Sequence, residues 1–158
     1  MNKMVKKGFS MIELLFVMVI LAALAAIAIP SMSSGTESAT LTSMRSDMKN
    51  IMALLQSKYV DTQDYSVIIG SEIKAAEAND SGFASDPLVN SKTSESTNIP
   101  LSQGNSVTIT ANTAAEGSCT AAGQGFEISI SNTNVPGKTT KFNSCTDGKI
   151  IMEVNNAG

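Results

Sequence analysis

One acidic residue, Glu13, stands inside a long apolar run, and its side chain has the most unusual chemistry in the sequence. Between Phe9 and Ile29, only Ser10 and Glu13 are polar. A charged carboxylate costs up to about 3 kcal/mol at the centre of a bilayer and less near its surface. Two interpretations follow from the residue type. Either Glu13 reaches the lipid headgroups, or it pairs with a cation from outside the run.

The second interpretation needs a source for the cation. No basic residue lies between Phe9 and Ile29. A cut just before Phe9 would create a free α-amino group, which is positively charged near neutral pH. A helix cannot easily fold its first residue back onto a side chain four residues later. The amine of a neighbouring copy is the better partner, and this interpretation predicts self-assembly.

Few residues in the rest of the chain suit catalysis or metal binding. There is no histidine, the usual general base, and two cysteines are too few for a Cys-rich zinc site. Serine and threonine are plentiful, but no histidine exists to activate one of them. No G-x-S-x-G, phosphate-binding loop or H-E-x-x-H motif occurs. We therefore expect a protein that is not an enzyme and that needs no cofactor or metal.

The apolar run has the length of a membrane-spanning helix. Its 21 residues would form a helix of about 30 Å, close to the hydrocarbon thickness of a bilayer. Lys3, Lys6 and Lys7 precede the run without any acid, which favours a cytoplasmic position for this end. An ordinary secretory signal is the alternative, because the alanine pairs at 22–23 and 25–26 resemble a cleavage site. Such a signal has a shorter apolar part.

The segment Lys6-Lys7-Gly8-Phe9-Ser10-Met11-Ile12-Glu13-Leu14-Leu15, with the apolar run and Pro30, resembles the type IV pilin signature. In that family a prepilin peptidase cuts after the glycine and N-methylates the new first residue. The resemblance implies a leader of residues 1–8, cleavage between Gly8 and Phe9, and methylation of Phe9. It makes Glu13 the family's acidic assembly residue and Pro30 its helix-kinking proline. Major pilins, minor pilins and type II secretion pseudopilins share this signature.

Loss of the leader makes the chain more acidic. Removal of its three lysines leaves 8 basic and 14 acidic residues. A surface of this charge is unsuited to following nucleic-acid phosphates along its whole length. Lys138, Lys141 and Lys149 are the candidates for a local basic patch, but three lysines make a thin one. Nucleic acid is therefore a possible but not an indicated partner.

An amphipathic pattern follows Pro30. Apolar residues recur every three or four positions, as on one face of a helix; they are Leu41, Met44, Met48, Ile51, Met52, Leu55 and Tyr59. The residues between them, Asp47 included, are assigned to the solvated face. We predict one long helix over about 9–60, with a bend or melted turn near 30–36, where Pro30 is followed by serines and Gly35. Its apolar half, 9–30, projects, and its second half packs on a globular head of residues 31–158.

The rest of the head predicts a sheet. Residues 61–105 are interpreted as the irregular αβ-loop, with a short helix at 71–78. Period-two alternation predicts strands near 106–111, 126–131 and 149–154, with a weaker one at 138–142. Asp147-Gly148 suits the turn into the last strand. The expected fold class is α+β, with the long helix on a roughly four-stranded antiparallel sheet.

The two cysteines, Cys119 and Cys145, flank the second and third predicted strands. Outside the cytoplasm they are expected to form a disulfide, and two separate thiols are the alternative. A disulfide near the C-terminus also resembles the D-region of pilins, within about 106–158. Major pseudopilins usually carry a calcium site instead, and Asp147 and Glu153 are too sparse for one. The resemblance therefore favours a pilin over a pseudopilin.

The resemblance implies a structural function. The expected protein is a subunit of an extracellular type IV pilus that supports adhesion, twitching motility or DNA uptake; a minor pilin or a type II secretion pseudopilin is the alternative. The implied partners are other copies of itself, prepilin peptidase, the inner-membrane assembly machinery and, before assembly, membrane lipid. The precursor would cross the inner membrane once.

Overall fold

The structure, a computed structural model, describes residues 9–70, 72–146 and 148–154. For residues 27–34, Lys74 and Ala75 it describes the backbone but not the side chains. The predicted leader 1–8, with Gly8, and Asp147 of the predicted turn lie outside the described residues. The chain divides into two compact units, Met1–Ser38 and Ala39–Gly158.

Within the described residues the chain has two helices and seven strands. The helices are α1 (Met11–Thr62) and α2 (Tyr65–Ile69). The strands are β1 (Ile73–Glu77), β2 (Leu88–Val89), β3 (Ser96–Thr97), β4 (Asn105–Ala111), β5 (Phe126–Asn132), β6 (Lys138–Asn143) and β7 (Ile150–Val154). The α+β class predicted from the sequence is confirmed.

Helix α1 includes Pro30 and the residues after it. Residues 30–36 are helical, although the sequence predicts a bend or a melted turn there. A proline removes one helical hydrogen bond, which a long helix can tolerate. The described backbone has no melted turn there, and a bend at Pro30 stays a prediction.

The core of the second unit forms between α1 and one face of the sheet. Met44, Met48, Ile51 and Leu55 are fully buried along one stripe of α1. They belong to the same cluster as the core residues of the sheet, which include Val107, Ile109, Ile128 and Ile130. The three- and four-residue spacing of α1 and the alternation of β4 and β5 thus meet in one apolar layer, as predicted.

The main sheet has five described strands rather than the roughly four expected, in the order β1-β4-β5-β6-β7. All neighbouring pairs are antiparallel, and the register places Ile109 opposite Ile128 and Ile128 opposite Phe142. A separate pair, β2 and β3, forms a second small sheet. Strand β1 of the main sheet was not predicted from the sequence, and neither were β2, β3 and α2, which also lie in the segment 61–105 that was interpreted as irregular.

The prediction of a short helix over residues 71–78 is wrong. Strand β1 occupies this position and pairs with β4, with Ile73 opposite Ile109. Ile73 and Ala76 are both buried, although two residues lie between them, because the register shifts between these positions. The Glu-, Lys- and Ala-rich composition has high helix propensity, but burial against the sheet overrides this weak local preference.

The assignment of Asp47 to the solvated face of α1 is also wrong. Asp47 is only 4% exposed. Its carboxylate accepts hydrogen bonds from the Ser102 N–H (2.7 Å), the Ser102 hydroxyl (2.9 Å) and the Asn105 side-chain amide (2.6 Å). The Asn105 carbonyl oxygen in turn accepts from the Asn132 amide at 2.7 Å. A buried carboxylate is tolerated here because several donors satisfy it.

We predict that Asp47→Ala lowers the free energy of unfolding by about 3 kcal/mol, because it leaves the buried donors of Ser102 and Asn105 without an acceptor. Denaturant unfolding of the full chain in detergent measures this change. The matched control is Asp61→Ala, which removes an exposed acid from the same helix and should change stability by less than about 0.5 kcal/mol. Equal effects of the two substitutions would contradict a structural role for Asp47.

Candidate functional site

The first candidate site is the beginning of α1. Phe9 and Ser10 precede the helix, and the N–H groups of Glu13 and Leu14 donate to the Ser10 carbonyl at 3.0 and 3.3 Å. The Ser10 N–H donates to Glu13 Oε2 at 3.4 Å. Ser10 therefore caps the helix, and Glu13 reaches back to it from the third helical position, as in half of a capping box.

This local role of Glu13 was missed in the sequence analysis, although the spacing Ser10-x-x-Glu13 is the signal that predicts it. The carboxylate also lies in the first turn, where the helix dipole favours negative charge. Oxygen Oε2 is engaged by Ser10, and both residues are exposed to solvent. The second carboxylate oxygen, Oε1, accepts no hydrogen bond from the residues that the structure describes.

The apolar side chains around Glu13 are exposed. Phe9 is 80% exposed, and the large apolar side chains from Met11 to Leu24 are all at least half exposed. They are Met11, Ile12, Leu14, Leu15, Phe16, Val17, Met18, Val19, Ile20, Leu21 and Leu24. Consecutive positions are exposed, so the apolar surface surrounds the helix and is not confined to a stripe. An apolar surface of this extent usually marks a contact with protein or lipid.

The structure describes some of the site residues predicted from the sequence and not others. Phe9 lies beside Ser10, just before the helix, and Glu13 lies in the first turn of α1. Gly8, the predicted cleavage residue, is outside the described residues, and Pro30 is described only as helical backbone. Taken over the described residues alone, no helix has a stretch long and apolar enough to cross a membrane.

Residues 3–29 match the family described as the prokaryotic N-terminal methylation motif. The match covers Gly8, Phe9 and Glu13, and it ends just before Pro30. The match is confined to this N-terminal segment, and it supports a type IV pilin-like protein with a class III signal peptide. Such a motif implies processing by a prepilin peptidase, and it is typical of a structural class of proteins rather than of enzymes. No curated protein and no solved structure matches the chain.

The second candidate site is the part of the head around the predicted disulfide. Cys119 and Cys145 form the disulfide, with their Cα atoms 5.1 Å apart. Cys119 lies in the connection between β4 and β5, and Cys145 follows β6. The Ser118 N–H and hydroxyl both donate to the Cys145 carbonyl, at 2.6 and 2.9 Å. The disulfide and these two hydrogen bonds therefore link the β4–β5 connection to the segment that follows β6.

Hydrogen bonds within the β4–β5 connection hold its shape. The Asn112 side-chain amide donates to the carbonyls of Ala114 and Ala121, both at 2.9 Å. Its carbonyl oxygen accepts from the Gly125 N–H at 2.8 Å. Near the disulfide, Gln124 Oε1 accepts N–H bonds from Thr120 and Ala121. This loop is thus ordered by its own side chains.

Aromatic rings pack beneath this end of the head. Tyr59 of α1 stacks on Tyr65 of α2, with ring centroids 4.3 Å apart, and Tyr65 meets Phe126 edge-on at 4.7 Å. Burial raises the pKa of Tyr65 above its ordinary value. At the start of α2, Asp64 caps the helix by accepting the Ser66 N–H at 2.8 Å. Hydrogen bonding to Ser66 lowers the pKa of the Asp64 carboxyl group.

The candidate basic patch is largely compensated by acids. Lys141 forms an ion pair with Glu153 at 2.7 Å, and its hydrogen bond to Glu153 raises the pKa of Lys141. Lys149 lines the same shallow surface, together with Glu127 and Glu153. Carboxylates between the lysines weaken the attraction to a phosphate backbone. The described groups of this surface therefore do not support nucleic-acid binding.

We predict that Gly125→Ala prevents normal closure of the disulfide. A Cβ atom at this position would overlap Cys145 Sγ and lie 2.6 Å from Cys119 Sγ. The expected results are free thiols, detected by alkylation and mass spectrometry, and a loss of about 2–4 kcal/mol in the free energy of unfolding. Gly35→Ala is the control, because a Cβ there meets no atom within 4 Å. An intact disulfide with unchanged unfolding in Gly125→Ala would contradict this packing.

Proposed function

We propose that this protein is a pilin, a structural subunit of an extracellular type IV filament. The observation that carries the proposal is the methylation motif at residues 3–29 on a helix with exposed apolar side chains all around it. The precursor is anchored in the inner membrane, is cut between Gly8 and Phe9, and is N-methylated on Phe9. Assembly then transfers the apolar helix from lipid to the filament core.

Membrane anchoring follows from the sequence of the apolar segment. The segment from Phe9 to Ile29 contains 21 residues. The structure describes the side chains of this segment up to residue 26. A helix of this length spans about 30 Å. The leader lysines keep the peptide bond after Gly8 on the cytoplasmic side, where a peptidase of the inner membrane can reach it.

Filament growth follows from the exposed apolar surface. Burying the side chains of residues 9–24 against neighbouring copies removes them from water and from lipid contacts. Different faces of successive copies would meet, so the contacts are heterologous and the assembly stays open at its ends. An open assembly of this kind grows into a filament.

Glu13 gives this packing an axial register. In the described chain Glu13 Oε2 accepts the Ser10 N–H, which leaves Oε1 to accept the charged Phe9 amine of an adjacent subunit. The two charges neutralise each other inside the apolar core. Such a pair specifies one alignment more than it adds stability, because desolvation offsets most of the attraction.

The head supports a pilin over a pseudopilin. Its Cys119–Cys145 disulfide ties the β4–β5 connection to the segment between β6 and β7, and it resembles the disulfide-bounded D-region of pilins. With the apolar helices in the filament core, the head forms the outer surface of the filament, through which it supports adhesion, twitching motility or DNA uptake.

Electron microscopy of sheared cell-surface material, with N-terminal mass analysis of its main protein, tests the proposal. Filaments whose subunit begins with N-methylated Phe9 support it, and a subunit that stays monomeric in lipid despite the full export machinery contradicts it.

We predict that Glu13→Ala permits membrane insertion but reduces the filament yield about tenfold or more, because the neighbouring amine loses its counter-charge. Glu13→Gln is the matched variant, since its amide oxygen can still accept the Ser10 N–H. If the charge pair matters, both variants assemble poorly. If the helix cap alone matters, Glu13→Gln assembles normally. Quantitative immunoblots of the sheared and membrane fractions separate these outcomes.

We predict that Gly8→Ala slows leader removal, because the peptidase of this family recognises a glycine before the cut. Intact-mass analysis of the membrane fraction should show the precursor accumulating over the mature chain. Lys3→Ala, which changes the leader away from the cut, should leave processing unchanged. A Gly8→Ala chain processed at the normal rate to a product that begins with Phe9 would exclude this recognition.

A further inference from the structure

Two basic side chains on α1 have no ion-pair partner among the residues that the structure describes. Arg45 and Lys49 are both exposed and lie four residues apart, so they share one face of the helix. Like charges at this spacing repel each other and slightly destabilise an isolated helix. Asp47 lies between them in sequence, but its carboxylate is buried and bonded to Ser102 and Asn105. We call the surface of Arg45 and Lys49 the basic face.

A cleft of about 610 Å³ lies at the disulfide end of the head. Its charged lining residues are all acidic within the described chain: Glu72, Glu116 and Glu127. Glu116 and Glu127 each accept a long hydrogen bond, 3.5 Å, from the single Asn143 side-chain amide. The two carboxylates therefore lie on either side of one side-chain amide, and all three groups line the cleft. We call this cleft, defined by Glu116, Glu127 and Asn143, the acidic cleft.

The basic face and the acidic cleft cannot neutralise each other within one chain. Asp47 contacts Asn105, which places this turn of α1 at the level of the first residue of β4, with Arg45 and Lys49 on the other side of the helix from Asp47. The acidic cleft is lined by Thr110–Thr113, at the end of that strand. Five or more extended residues separate these points by roughly 17 Å or more. Charges on a protein surface are largely screened beyond about 8 Å at physiological ionic strength.

We propose that the acidic cleft of one subunit binds the basic face of the next subunit. This inference rests on the proposed function, because it names the contact between heads in the assembled filament. The two surfaces are different and lie at opposite ends of the head, so their contact is heterologous and leaves one copy of each surface open at the ends of the assembly. The occupant of the cleft is a second copy of this chain, since that copy carries the complementary charge at a fixed spacing.

Charge reversal of each surface tests the contact in full-length protein, in cells that contain the assembly machinery. Arg45→Glu with Lys49→Glu reverses the basic face. Glu116→Lys with Glu127→Gln reverses the acidic cleft, and glutamine is used at 127 because a lysine there would repel Lys141. Each pair of substitutions is expected to lower the yield of sheared filaments about tenfold, and the combined four are expected to restore it to within about threefold.

The control is Lys92→Glu, which reverses an exposed lysine in the turn between β2 and β3, outside both surfaces. Its filament yield should equal that of the wild type. All substituted residues are exposed, so immunoblots of whole cells should show equal amounts of each subunit. A fall in total subunit amount for only one pair would be corrected by expressing yield per subunit.

Zero-length carbodiimide coupling of isolated wild-type filaments gives a second measurement. It should join Lys49 to Glu116 or Glu127 in peptides identified by mass spectrometry. The distance between these groups within one chain makes such a product intermolecular. Normal filament yield from either reversed surface, failure of the four substitutions to restore yield, or absence of the coupled peptides overturns the docking. Absence of filaments from wild-type cells rejects the proposed function itself.

Discussion

One helix must satisfy two different surroundings, and the rest of the structure follows from this constraint. Over residues 11–24 its large side chains are apolar and exposed on every side. Over residues 44–55 its apolar side chains form a single stripe that is buried against the sheet. A helix that is apolar all round needs lipid or other helices, whereas a striped helix needs one partner layer. The pattern of side chains along α1 therefore differs between the two compact units.

Within the head, apolar packing and a buried polar network act together. The Met44–Leu55 stripe packs into the apolar core, but methionines adapt to several packings and specify position poorly. Asp47 adds direction, because its donors on Ser102 and Asn105 lie at the start of β4. Sliding α1 by one turn would leave this carboxylate buried without partners, which is costly. The network thus selects one placement of the helix on the sheet.

Periodicity predicted the parts of the fold in which burial follows a regular spacing. The helical stripe around Met48 and the alternation around Ile109 and Ile128 are patterns of this kind, and the structure confirms them. Strand β1 was not predicted from the sequence because Ala75 and Ala76 favour a helix locally. Only the pairing of Ile73 with Ile109 makes the segment extended. The burial of Asp47 was not predicted because it depends on Ser102, which is 55 residues away in the sequence. The residue type alone indicated that Glu13 pairs with a cation or reaches the lipid headgroups. Its hydrogen bond with Ser10 became apparent only from the geometry at the start of the helix. The disulfide was accessible from the sequence because the compartment and two cysteines leave few choices.

The β4–β5 connection has a further consequence. Its backbone is held from within by Asn112, by Gln124 and by the disulfide, while Ala114 and Ala115 are exposed and lie outside the acidic cleft. Exposed side chains on such a frame can be replaced without loss of the hydrogen bonds that hold it. Ala114 and Ala115 are therefore suitable positions for attaching a probe, because a change of either side chain leaves the bonds of Asn112 and Gln124 in place.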